Sequence, residues 1–203
     1  GCKLRIVEPP KGGKSCGKKW NQEILEAIDP QTAVVAMAPL HWADGTLFDL
    51  EKIRTKSAMY DAALIIDGTQ AIGAMPFDVE AIQPDAVICA GYKWLLGPYG
   101  LGFAWYGPRF DNGLPIENNW INRLHSDQFS DLSTYEGAYR PKAQRYGMGE
   151  ISNFITIPML QTAVDHLLDW GVDSIQEYCA SLVSDPLKHL QEKGFLIEES
   201  RYR

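Results

Sequence analysis

The residue whose chemistry stands out is Lys93, in the run Ala90-Gly91-Tyr92-Lys93-Trp94-Leu95-Leu96-Gly97-Pro98-Tyr99-Gly100. The run follows an apolar stretch, residues 86–89, and precedes a glycine turn and a second apolar stretch, residues 101–106. A lysine held between buried strands is costly to keep charged, so its amine is expected to titrate below the usual lysine range. Such an amine is a candidate for a Schiff base with an aldehyde cofactor. Upstream, Ala63-Leu64-Ile65-Ile66-Asp67-Gly68-Thr69-Gln70 places a carboxylate at the end of another apolar stretch. The pair suggests pyridoxal 5'-phosphate (PLP), with Lys93 on the aldehyde and Asp67 on the pyridine nitrogen. A carboxylate there keeps the ring nitrogen protonated, which makes the ring an electron sink. Lys93, once displaced by a substrate amine, is then the base that moves the α-proton.

The elements that must position these two residues alternate in type. Residues 4–7 read as a strand and residues 11–19 as a Gly/Lys loop. Residues 20–28 have helical spacing at Trp20, Ile24, Leu25 and Ile28. Residues 33–38 form a buried strand, and a helix follows over about residues 49–61, with Asp49 in its acidic first turn. Residues 64–66, 86–89 and 102–106 give three more strands. Repeated strand–helix–strand order implies crossover connections and a largely parallel sheet. Functional residues of such sheets gather at the carboxyl ends of strands, where Asp67 and Lys93 both fall. Residues 108–150 are irregular and polar, a loop long enough to be functional or interface-forming. Two helices follow, over residues 157–170 and 173–193, each ending at a glycine, the second with a bend at Pro186. Residues 195–198 then read as the first strand of a smaller domain.

The Lys93 segment resembles the lysine motif of the class V aminotransferases, a group within the fold-type I PLP enzymes. The group includes cysteine desulfurases, selenocysteine lyases, kynureninases and isopenicillin-N-epimerase-like proteins. Residues 64–106 fit its pattern throughout, as Asp-x-x-Gln-Ala-x-Gly, a spacer, and Gly-Tyr-Lys-Trp-Leu-Leu-Gly-Pro-Tyr-Gly. The looser similarity runs over about residues 20–194. The resemblance implies an α/β fold, namely a fold-type I large domain with a mainly parallel sheet flanked by helices and the start of a smaller C-terminal domain. It divides the chain into residues 1–156, part of the PLP-binding domain, residues 157–193, connecting helices, and residues 194–203, the start of the small domain. It implies Gln70 as a hydrogen-bond donor to the cofactor's phenolic oxygen. Tyr92 stands where relatives use Tyr or His to contact phosphate; packing on the sheet is the other reading. His41, in His41-Trp42-Ala43-Asp44-Gly45-Thr46, either reaches the cofactor or substrate or hydrogen-bonds backbone within its own loop. Asp44-Gly45 reads simply as the turn.

Two departures from the family's patterns bear on function. Desulfurases place Ser-x-His before the lysine, the serine on phosphate; here that place is Ala90, so one phosphate donor is missing or supplied elsewhere. Arg145-Tyr146-Gly147-Met148-Gly149-Glu150 resembles a segment that reaches the phosphate of a neighbouring subunit in homodimeric relatives. Glu150, in place of threonine, repels an anion, leaving the backbone amides of Gly149 and Glu150 to serve. Arg145 has a second reading, as a structural residue paired with an acid.

Composition removes other classes. A net charge of −7 argues against nucleic acid or anionic membranes as the main partner. No apolar run approaches the roughly twenty residues of a membrane span, and no secretory signal is visible. The four cysteines, Cys2, Cys16, Cys89 and Cys179, are scattered without a CxxC, so neither a metal site nor a disulfide framework is indicated and a cytoplasmic setting is the default. Cys89 and Cys179 read as buried packing residues. Gly12-Gly13-Lys14-Ser15 mimics the end of a nucleotide phosphate loop, but the first glycine of that motif falls at Glu8, and a solvated basic loop is the better reading.

The expected function is that of a PLP-dependent enzyme, class V aminotransferase-like, acting on the amino group of an amino acid through Lys93. A cysteine desulfurase or selenocysteine lyase is the alternative enzyme, and a non-catalytic fragment with an incomplete PLP site is the alternative of another class. With no initiator methionine and strand-like ends, the chain reads as a piece of a longer, homodimeric parent. The expectation is that it holds PLP weakly or not at all by itself, because the phosphate turn, the ring-stacking residue and the arginine for the substrate carboxylate have no match within it.

Overall fold

The computed structural model describes residues 1–12, 15–131, 133–148 and 153–203. Its centre is a four-stranded sheet in the order β1 (Val34–Met37), β2 (Ala63–Asp67), β3 (Ala86–Ala90), β4 (Gly102–Tyr106). The first three strands run parallel, with Val34 beside Ala63 and Asp67 beside Ile88. β4 is antiparallel to β3, pairing Ala86 with Tyr106 and Ala90 with Gly102. The expected largely parallel sheet is therefore present, with one antiparallel edge. A short connection joins β3 to β4, and a short connection favours antiparallel pairing.

Three helices accompany the parallel strands: α1 (Cys16–Ala27), α2 (Leu50–Ala58) and the single turn α3 (Val79–Ile82). Asp49 is the N-cap of α2, its side chain accepting from Lys52 N–H, which satisfies a donor the helix cannot. Trp20 and Ile24 of α1 and Leu50 and Ile53 of α2 face Leu64, Ile66 and Val87 of the sheet in one apolar cluster. α4 (Thr156–Trp170) and α5 (Val172–Glu192) follow the long loop. α4 builds a second cluster, Leu167 with Cys89 and Leu95, flanked by Leu160, Val164 and Ile175. α5 runs unbroken through Pro186. Among the described residues, no helix is long and apolar enough to cross a membrane.

Five sequence expectations need correction, the first being that β1, expected to be buried, is an edge strand whose residues are exposed or half-buried. Residues 4–7 are not a strand: no neighbouring strand offers them a ladder, and Leu4 and Ile6 are 81% and 68% exposed. They are tied down by side chains instead, Arg5 Nη1 donating to the Ala27 carbonyl and Trp20 Nε1 to that of Val7. Residues 195–198 also lack a partner strand; Glu198 turns back so that its Oε2 accepts from Gly17 N–H at 2.7 Å. That distant carboxylate satisfies a free donor in the first turn of α1, which opens at Cys16, inside the stretch expected to be a loop. Gly13 and Lys14 of the phosphate-loop mimic lie outside the described residues. Cys179 is exposed, since α5 packs only lightly, whereas Cys89 is buried as expected.

The long loop is irregular but anchored. Buried Asn122 donates from Nδ2 to the carbonyls of Glu117 and Gly147. Arg145 donates to the carbonyls of Arg140 and Gly113, so its structural reading holds, with backbone carbonyls as partners in place of an acid.

The strand end opposite Asp67 is fastened by Asp85. Its carboxylate, 7% exposed, accepts from Leu64 N–H and Arg54 Nη1 at 2.8 Å each and from Arg109 Nε at 3.0 Å. Burial pushes this carboxyl up, but the Leu64 amide and the two guanidinium groups outweigh it, and it sits below its ordinary value of 3.8. Because the folded value is the lower one, this stabilisation is present above the ordinary value and is lost as pH falls through the folded value. Asp85→Asn is expected to lower unfolding stability by about 2–3 kcal/mol in urea titrations at neutral pH, by leaving Arg54 without its counter-charge and Arg109 with Asp61 alone. The deficit relative to the native chain should shrink on acidification; a deficit constant down to the acid transition would contradict this account.

The cysteines give a second check. Burial, helped by the Asp67 charge, pushes the Cys89 thiol up to about 11. Brief iodoacetamide treatment at neutral pH should label Cys2 and Cys179 in the native chain and reach Cys89 only after unfolding, read by peptide mass spectrometry.

Candidate functional site

Asp67 is the last residue of β2, and the turn after it is built around its side chain. Asp67 Oδ1 accepts from Thr69 N–H at 3.0 Å, an Asx-type turn that directs the chain off the sheet. Gly68 N–H donates to the Ile88 carbonyl at 2.8 Å, and Ala90 N–H donates to Thr69 Oγ1 at 3.1 Å. The Asp67 turn is thus bonded to the strand that leads into Lys93.

The Lys93 turn is closed on itself. Gly91 N–H donates to the Leu101 carbonyl, Gly97 N–H to that of Gly91 and Leu96 N–H to that of Lys93, at 2.9, 2.9 and 3.0 Å. The two turns also touch. Gly73, at φ +94°, lies where an added Cβ would come within 2.5 Å of the Trp94 carbonyl oxygen, so only glycine allows the approach. Gly97 packs under α4, where a Cβ would meet Leu160 Cδ1 at 2.5 Å. Leu95 is the buried anchor of the turn.

The structure therefore brings Asp67, Gln70, Tyr92 and Lys93 to one carboxyl edge of the sheet. It does not bury Lys93: the side chain is exposed, with its Nζ 5.8 Å from the centre of the Tyr92 ring. The burial expected for Lys93 is therefore not found among the described residues. Lys93 has no salt bridge among the described residues. Tyr92 is 40% exposed and stacks on Tyr99, with ring centres 4.4 Å apart, so it packs on a neighbouring ring and not on the sheet. Gln70 is half-buried. Two clefts of about 430 Å³ lie elsewhere, one between α1 and α2 and one formed by residues 118–136, and neither is lined by Asp67 or Lys93.

His41 is engaged within its own turn. Its ring packs edge-on against Trp20 at 5.0 Å, and Nδ1 lies 3.0 Å from Asp44 Oδ1. Partial burial raises the Asp44 carboxyl, but hydrogen bonds from Thr46 and His41 outweigh it and hold it low. Asp44 and Gly45 form the expected turn, with Gly45 N–H donating to the His41 carbonyl. Gly149 and Glu150, expected to offer amides to a phosphate, lie outside the described residues.

Three residues of this region carry roles the sequence reading did not assign. Thr69 ties the acid to the lysine strand; a hydroxyl two positions after a strand-end Asp was the available signal. Gly73 permits the contact between turns, and its only signal was a glycine in a family-like run. Asp85 carries no motif at all.

Comparison with known proteins places the chain. It is 26% identical over 168 residues to an uncharacterized aminotransferase of Bacillus subtilis (strain 168), covering 82% of this chain and 43% of that protein. It is 30% identical over 138 residues to the kynureninase of Pseudomonas fluorescens, covering 67% of this chain and 30% of the relative. The chain thus spans less than half the length of these relatives. Among solved structures, the apo cysteine desulfurase of Thermococcus onnurineus NA1 superposes with a TM-score of 0.67 at 19% identity, over 85% of this chain and 41% of that one. The cystine C–S lyase C-DES, in complex with its product cysteine persulfide, gives 0.66 at 19% identity, over 77% and 40%. These likenesses show the fold. The family description Aminotransferase class-V matches residues 1–198, and the chain belongs to that family.

Proposed function

We propose that this chain carries the cofactor-lysine portion of a PLP-dependent enzyme that acts on the amino group of an amino acid. The observation that supports it most is the fastening of the Asp67 turn to the Lys93 strand at one sheet edge. The donor set fits PLP: a carboxylate at one strand end for a basic ring nitrogen, and at the next an exposed primary amine, with no salt-bridge partner among the described residues, for an aldehyde. Bound PLP supplies the electron sink for the bond broken at the α-carbon. Asp67 holds the proton at the ring nitrogen. Lys93 would hold the aldehyde carbon through Nζ and, once free of it, would hold and move the α-proton. Gln70 donates to the phenolic oxygen. Tyr92 and His41 are cofactor-site residues in this reading, with His41 requiring release from Asp44 to take part.

Class V aminotransferase-like chemistry is the preferred reaction. The relatives bear the names aminotransferase, cysteine desulfurase and kynureninase, reactions that share the roles given to Asp67 and Lys93. A carbon–sulfur or carbon–selenium lyase is the second reading, and Cys89 is not its nucleophile, since the thiol is buried and raised to about 11. Residues 1–156 form part of the large domain, 157–193 the connection and 194–203 the start of a smaller one. The longer protein works as a homodimer in the cytoplasm, with an amino acid as its small-molecule partner.

Borohydride reduction in the presence of PLP tests this directly. A pyridoxyl group should appear on the Lys93 peptide and vanish in Lys93→Ala, while Asp67→Ala should raise the PLP concentration needed for half-labelling at least about tenfold, an ion pair to a charged ring being lost. Labelling spread over surface lysines, with Lys93 no more reactive than the rest, would sink the proposal.

A further inference from the structure

Thr69 touches both halves of the Asp67–Lys93 edge, and its hydroxyl proton is not used in holding them together. Its backbone N–H donates to Asp67 Oδ1 at 3.0 Å, and its Oγ1 accepts from Ala90 N–H at 3.1 Å. A threonine hydroxyl offers one donor and two acceptor positions. The bond from Ala90 occupies an acceptor position only, and the O–H proton has no acceptor among the described residues. The hydroxyl is therefore a donor held in place from two sides, half-buried, at the sheet edge. Ala90, which stands at the serine position of the desulfurase pattern, cannot replace it. Ala90 presents a methyl group and a backbone N–H that is already used. Tyr92 carries its hydroxyl on a ring stacked against Tyr99.

We propose that Thr69 is a ligand-binding residue whose hydroxyl donates a hydrogen bond to the phosphate of the cofactor held between Asp67 and Lys93. This rests on the PLP reading above. With the ring nitrogen at Asp67 and the aldehyde carbon at Lys93, the acceptors left on PLP are the phenolic oxygen, assigned to Gln70, and the phosphate. A phosphate dianion strengthens a hydrogen bond donated to it relative to a neutral acceptor. The same hydroxyl, by accepting from Ala90, keeps the Lys93 strand in step with the acid, so a single side chain sets two distances.

The test compares PLP with pyridoxal, which lacks the phosphate. The 203-residue chain is reduced with borohydride over a range of each ligand, and half-saturation of the Lys93 peptide is read by mass spectrometry. Thr69→Val should raise the half-saturating PLP concentration roughly tenfold and leave that for pyridoxal within about twofold, the effect of one charge-assisted hydrogen bond. Thr69→Ser should restore the native value for PLP. Equal shifts for both ligands would show that Thr69 only fastens the turn and would overturn the proposal, as would a PLP value unchanged in Thr69→Val. Thr69→Ala provides the same comparison should the valine variant fail to fold. If the native chain is not labelled by PLP at Lys93 at all, the cofactor reading fails and this proposal with it; native labelling indifferent to Thr69 overturns this proposal alone.

Discussion

Asp85 is the interaction on which the sheet depends. It lies just before β3 at the end of the sheet away from Lys93, and its backbone bonds to Leu64 of β2 and to Gly107 beyond β4. Its carboxylate adds Leu64 N–H, Arg54 of α2 and Arg109 of the turn after β4, and Arg109 also pairs with Asp61. A buried carboxylate is tolerated only with such partners, and once satisfied it holds every element that touches it. The starts of β2 and β3, the end of the antiparallel β4 and the middle of α2 are thereby fixed at one edge of the sheet, which frees the opposite edge to carry chemistry.

That division follows from parallel strands. β2 and β3 start at the Asp85 anchor and end at Asp67 and Ala90, so both turns that leave the sheet emerge at the same edge. Apolar packing fixes the strands between: Leu64, Ile66 and Val87 press against α1 and α2, and Cys89 joins Leu95 and α4. The functional edge is held by backbone contacts more than by burial. Gly73 against Trp94, Thr69 against Ala90 and Gly97 against Leu160 set where the lysine turn sits, while the lysine itself stays in solvent.

Legibility in the sequence tracked how local the determining physics was. The strands around Asp67 and Lys93 and the α2 cap at Asp49 were readable, because apolar runs and capping residues act over a few positions. The strands expected over residues 4–7 and 195–198 were not found, since a strand exists only if another offers its backbone, and an apolar run cannot say so. The start of α1 was misplaced because the carboxylate that serves it, Glu198, lies 181 residues away. Lys93 was expected to be buried because its flanks are apolar; β3 before it is largely buried, but β4 after it is an exposed to half-buried edge strand, and the turn between them faces outward.

By itself the sequence determined the kind of chemistry available, an acid and an amine at consecutive strand ends, and the family to which that pattern belongs. It determined the order of elements as well, because hydrophobic period and turn residues are properties of short segments. Tertiary structure alone decided that Thr69 links the acid to the lysine strand, that Asp85 anchors the far end, that His41 is occupied by Trp20 and Asp44, and that Lys93 is open to solvent. Each of these depends on a meeting between residues distant in the chain or on a side chain's direction in space, and neither is written in local spacing.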